Sequence, residues 1–163
     1  LRSMRLQHRC YRTVAIGETN EEYAEVYNAV ISAQAAGLSA VKPGALACEV
    51  DAACRQVIAD AGYGEWFRHR TGHCIGLDVH EYPFISEEDE TPLEAGMTFT
   101  IEPSVFWPGR VGVRIEDIVV VTEDGGVKLN EYSADMVAVE GSPSLGRGDT
   151  PASSSGSWCN HGE

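Results

Sequence analysis

The chain has 163 residues, 43% hydrophobic and 23% charged, the balance of a globular protein long enough for one core. Twelve Lys and Arg against 25 Asp and Glu give a net charge of −13, which counts against nucleic acid and anionic membrane as partners. No apolar run is long enough to cross a membrane, and the stretch after Leu1 does not read as a signal peptide. A first residue other than Met reads as a fragment. Five cysteines without a C-x-x-C pattern read as reduced thiols of a cytoplasmic protein.

In chain order, Thr13 to Ile16 reads as the end of a strand, stopped at Gly17. Thr19 with Glu22 three residues on is a capping-box signature. It opens a helix with Tyr23, Val26, Tyr27, Val30, Ile31, Gln34, Leu38 and Val41 at helical spacing. Gly37 weakens that helix and Pro43-Gly44 ends it. A second helix over 47–61 presents Val50, Ala53, Cys54, Val57, Ile58 and Ala61, starts without a hydroxyl cap and closes at Gly62 and Gly64. Strands follow at His73 to Val79, Thr98 to Val105 and Val111 to Thr122. Asp124-Gly125-Gly126 turns into a hairpin strand at 127–129, and Met136 to Val139 makes a last strand. Helices first and strands later predict an α+β domain over residues 1–140. From Gly141 the composition falls to Gly, Ser, Pro and Thr, so 141–163 is expected to be a disordered tail.

Three segments put ionisable side chains in unusual settings. His69, His73 and His80 fall close together in a chain with five histidines. A neutral imidazole is a common transition-metal ligand and a proton-transfer group. His73 and His80 would face opposite sides of one straight strand, so they share a site only if the chain bends between them, at Gly76. Glu102 lies in Phe99-Thr100-Ile101-Glu102-Pro103, where a carboxylate among apolar residues is costly without a cation or a donor. Pro103 ends that strand or sets it at an edge. Arg114 and Glu116 point to one side within an otherwise apolar run, Glu116 as a metal ligand and Arg114 holding it or a substrate carboxylate. One histidine and two glutamates suit Mn, Co, Fe or Zn, and two metals bridged by carboxylates would generate a hydroxide nucleophile. No serine-hydrolase elbow, P-loop or dinucleotide-binding motif is present. The acidic run Glu87-Glu88-Asp89-Glu90 reads as a solvated loop.

The segments Thr71-Gly72-His73-Cys74-Ile75-Gly76-Leu77-Asp78-Val79-His80-Glu81, Gly96-Met97-Thr98-Phe99-Thr100-Ile101-Glu102-Pro103 and Gly112-Val113-Arg114-Ile115-Glu116-Asp117 resemble the M24 metallopeptidase family. The likeness is closest to its Xaa-Pro aminopeptidase and prolidase branch. It implies the pita-bread α+β fold, incomplete at the N-terminus. It implies a divalent metal, two Mn(II) foremost, held by His73, Glu102 and Glu116. Glu102 and His80 are the catalytic residues it implies, with His69, His80 and Arg114 contacting a peptide substrate cleaved at an Xaa-Pro N-terminus. A homodimer is compatible with it. The family also uses two upstream aspartates. The second falls at Arg9 and the first would lie before Leu1. This departure leaves open a metal-free creatinase-like C–N hydrolase, or a non-catalytic binding module, on the same fold. It also predicts little turnover by the chain as it stands.

Overall fold

The computed structural model describes residues 10–140. Arg9 and the 141–163 tail lie outside the described residues. Strand β1 (Val14–Ile16) leads into α1 (Glu21–Ala40), α2 (Ala47–Asp60) and a 3-10 turn at Gly64–Trp66. Eight further strands follow: β2 (Gly72–Cys74), β3 (Glu81–Ile85), β4 (Thr98–Ile101), β5 (Ser104–Trp107), β6 (Val111–Arg114), β7 (Asp117–Thr122), β8 (Gly125–Lys128) and β9 (Val137–Val139). The α+β order predicted from the sequence is the one observed.

Helix α1 begins one residue later than the capping box predicts. Asn20 is the cap, its Oδ1 accepting the Tyr23 N–H at 2.8 Å, while Glu22 pairs with Arg110 instead. The helix runs through Gly37 and stops at Ala40, before Pro43. Gly37 has a packing reason: a Cβ there would stand 2.4 Å from Cys54 Sγ and 3.2 Å from Ile101 Cγ2. Its bareness lets α1, α2 and the sheet meet closely. Helix α2 lacks a hydroxyl cap, and the Glu49 carboxylate accepts the Leu46 N–H at 2.9 Å in its place.

Five strands form one antiparallel sheet in the order β3-β2-β4-β7-β8. The helices bury Val26, Val30, Cys54 and Ile58 in one core with Phe99, Ile101 and Val119. Strands β5 and β6 form a separate antiparallel ribbon, and β1 pairs with β9 in parallel. The predicted strand from His73 to Val79 is shorter, ending at Cys74, and β3 is an element the periodicity did not reveal.

The two long strands predicted at Thr98 to Val105 and Val111 to Thr122 are each interrupted once, β4 from β5 and β6 from β7. Ile101 pairs with Asp117 on one side of the break and Ser104 with Arg114 on the other. The register is therefore continuous, and Glu102 and Glu116 stand opposite each other within the gap. The ladder opens because its donors are used elsewhere. The Glu102 N–H donates to the Thr71 carbonyl at 2.7 Å and the Glu116 N–H to the Tyr11 carbonyl at 3.0 Å. Pro103 has no N–H to give.

Candidate active site

His73, Glu102 and Glu116 converge as the resemblance implies. One ligand atom from each lies within 4.8 Å of the others. His73 comes from β2, where Gly72 lets the strand press against β4: a Cβ at Gly72 would stand 1.8 Å from the Thr100 carbonyl oxygen. The His73 N–H donates to Thr100 Oγ1 at 3.1 Å, and its Nδ1 is 3.0 Å from the Cys74 carbonyl. That contact assigns the ring proton to Nδ1 and leaves the Nε2 lone pair facing Glu102 Oε1 at 3.4 Å. Burial pushes the His73 imidazole pKa down, against the raising effect of the Cys74 carbonyl, so the neutral form is favoured.

His80 arrives by the bend the spacing required. Residues 75–80 form no strand, and Cys74 pairs directly with Glu81 across a register shift. The Glu81 carboxylate accepts the Asp78 N–H at 2.8 Å and fills the space beside Gly76, where a Cβ would stand 2.7 Å from it. The His80 ring centre is 4.3 Å from that of His73.

The opposite wall carries His69, Ser104 and Arg114. His69 Nδ1 is 2.8 Å from the Arg70 carbonyl, which places its proton there. Its Nε2 then accepts from Ser104 Oγ and from Arg114 Nη2, the latter at 2.9 Å. Arg114 Nη1 reaches Glu102 Oε2 at 3.2 Å. Burial lowers the His69 pKa, and the Arg114 charge adds to that. These groups line a cleft of about 960 Å³ with His73, His80 and Phe84.

Behind Glu116 lies Asp117, fully buried. It accepts Arg12 Nη2 at 2.5 Å, Gln34 Nε2 and Lys128 Nζ at 2.9 Å each, and Asn130 Nδ2. Burial pushes the Asp117 carboxyl up, but the bonds from Lys128, Asn130 and Arg12 outweigh it and hold its pKa below the usual range. Arg12 also donates to the Glu116 carbonyl at 2.7 Å, fixing the backbone that presents that ligand.

The residues present fit a divalent metal. Two carboxylates facing each other across an antiparallel pair repel, and one of them, Glu116, is fully buried beside a neutral imidazole lone pair. A mixed nitrogen and oxygen set of this kind suits Mn, Fe, Co or Zn. Every candidate site residue from the sequence, His69, His73, His80, Glu102, Arg114 and Glu116, reaches this one region. Ser104, Thr100, Asp51 and Arg55 were missed. Asp51 did carry a signal, because it shares a helix face with Ala47, Cys54 and Ile58, all buried. The acidic run is exposed at Glu87, Glu88 and Glu90, as a solvated loop predicts, and departs from that only at Asp89, which is 8% exposed.

The pattern described as Metallopeptidase family M24 matches residues 6–123. The Probable dipeptidase PepE of Mycobacterium tuberculosis is 49% identical over 128 residues, covering 78% of this chain and 34% of the relative. The Xaa-Pro dipeptidase of Lactobacillus delbrueckii is 51% identical over 125 residues, 77% of this chain and 34% of the relative. Among solved structures, dipeptidase PepE from Mycobacterium ulcerans superposes with a TM-score of 0.78 at 51% identity, over 80% of this chain and 35% of that one. Prolidase from Pyrococcus furiosus gives 0.74 at 44% identity, over 76% and 37%. The chain thus spans about a third of the length of the relatives it matches. With the side chains of the three motifs gathered in one region and the family match running through both helices, the chain belongs to metallopeptidase family M24 and has its pita-bread fold.

Proposed function

We propose that this chain carries the metal-binding and substrate-contacting groups of a hydrolase that cleaves the peptide bond at an Xaa-Pro N-terminus. The observation that carries this reading is the convergence of His73, from β2, with Glu102 and Glu116, from the gaps between β4 and β5 and between β6 and β7. These three would hold the metal, with two Mn(II) the expected complement. When bound, it supplies a Lewis acid and lowers the pKa of water. Glu102 takes up the proton released by the attacking water, and His80 donates to the charge developing on the scissile carbonyl oxygen. His69 and Arg114, tied to each other and to Glu102, form the wall against which the substrate is oriented. The free described cysteines, Cys10, Cys48, Cys54 and Cys74, support the cytoplasm as its compartment. The exposed apolar residues Ile16 and Val137 support a homodimer.

Calorimetric titration with Mn(II), paired with an Xaa-Pro dipeptide hydrolysis assay, tests the reading. His73→Ala and Glu116→Gln are each expected to weaken Mn(II) binding by at least about tenfold. Arg9→Asp is expected to strengthen it and to raise turnover, because it replaces a cation with an acid where the family pattern has one. Unchanged Mn(II) affinity in Glu116→Gln would overturn the metal assignment. An Arg9→Asp chain that binds Mn(II) stoichiometrically but neither binds nor cleaves Xaa-Pro peptides would overturn the substrate.

A further inference from the structure

Between Phe67 and Gly72 the chain forms neither helix nor strand, yet it carries the cleft-lining residues Arg68, His69 and Arg70. An irregular segment must satisfy its backbone groups elsewhere. Here three of them go to two side chains of α2. Asp51 Oδ1 accepts the Thr71 N–H at 2.9 Å. Arg55 Nη1 donates to the Phe67 carbonyl at 3.1 Å and Nη2 to the His69 carbonyl at 3.2 Å. The two side chains also pair with each other: Arg55 Nε meets Asp51 Oδ2 at 2.8 Å and Nη2 meets Oδ1 at 3.1 Å, with Glu87 Oε1 3.4 Å from Nε. The Arg55 guanidinium also lies 4.5 Å above the Phe67 ring, whose edge meets His69 at 5.5 Å between ring centres.

Asp51 is fully buried, and a carboxylate inside a helix–sheet core is costly unless its neighbours require it. Its use is to complete a clamp. Both ends of the segment are gripped by one ion pair, and the wall side chains project from between the grips. Thr71 in turn accepts the Glu102 N–H, so the clamp continues into the wall shared by His69, Arg114 and Glu102.

We propose that Asp51 and Arg55 are positioning residues that fix the His69 wall of the cleft, acting through the backbone of residues 67–71. The consequence for substrate rests on the proposed peptidase reading; the positioning itself does not. Lysine can neutralise Asp51 but cannot grip two carbonyls and a carboxylate at once, so Arg55→Lys separates the charge from the grip.

The test compares the full chain with Arg55→Lys and Asp51→Asn. The readouts are the histidine ring signals in proton–carbon NMR spectra, the Kd for Mn(II), and the Kd for an Xaa-Pro dipeptide in the presence of Mn(II). Arg55→Lys is expected to shift and broaden the His69 ring signal while those of His73 and His80 stay in place. Mn(II) affinity is expected to stay within about twofold and dipeptide affinity to fall by about tenfold or more. An unmoved His69 signal in a folded Arg55→Lys chain overturns the clamp. So does a lowered Tm with unaltered dipeptide affinity where the unsubstituted chain binds the dipeptide. A shifted His69 in a chain that never binds the dipeptide, even when Arg9→Asp lets it bind Mn(II) stoichiometrically, keeps the clamp and rejects the peptidase reading. Asp51→Asn, if folded, is expected to show the same pattern with a larger shift.

Discussion

Glycine 72 is the residue on which the donor set depends most directly. Its bare Cα allows β2 to lie against the Thr100 carbonyl, and a methyl group there would occupy backbone rather than a yielding side chain. Gly72→Ala is expected to lower stability by about 3 kcal/mol, read from urea denaturation at constant m. At Gly76 the nearby atoms are the Glu81 carboxylate, which can swing aside, so Gly76→Ala is expected to cost less. At this scale much of the site was legible. His73, Glu102 and Glu116 stand out because a titratable group in an apolar strand has few bland explanations. Ser104 and Arg55 do not stand out, because a serine in a strand and an arginine on a helix are ordinary. Only the fold brings Ser104 to His69 and Arg55 to the Phe67 carbonyl.

At the scale of elements, the acidic run after β3 shows why composition alone misleads. Asp89 is folded inward and accepts the Thr91 N–H at 3.0 Å, the Phe84 N–H at 2.8 Å and the Tyr82 hydroxyl at 3.4 Å. Burial pushes its carboxyl up, but the bonds from Thr91, Phe84 and Tyr82 outweigh it and leave the pKa lowered. A group depressed in the folded state contributes its stability above the ordinary carboxylate range, and that stability fades as pH falls through the folded value. Asp89→Asn is therefore expected to cost about 1–2 kcal/mol at neutral pH and to flatten the acid limb of the stability profile, measured by denaturation at a series of pH values. The helices were legible from their periodicity because one face of each packs on the sheet. Strand β3 was not, since Pro83 and the bend before it break the alternation that marks a strand. The interruptions in the long strands were also hidden, because they come from partners far away, Thr71 and Tyr11, rather than from local propensity.

For the whole molecule, the charge of −13 and an exposed apolar strip pull in opposite directions. In β1 and β9, Val14, Ile16, Val137 and Val139 are 47%, 78%, 50% and 44% exposed. Such a strip binds apolar dyes and other apolar surfaces. Ile16→Lys is expected to lower the fluorescence of bound anilinonaphthalene sulfonate, since it places a charge in the exposed strip. No helix among the described residues is long and apolar enough to cross a membrane. The continuous register that sets Glu102 opposite Glu116 reaches outward to the reverse turn between Trp107 and Val111, where Gly109 has φ +74° and the Arg110 N–H returns to the Trp107 carbonyl. Because both acids are counted from that tip, its length works as a ruler. One residue added or removed there would slide one arm by about 3.3 Å and turn its acid to the other face. The spacing of two cation donors is thus written into a bend that touches neither of them.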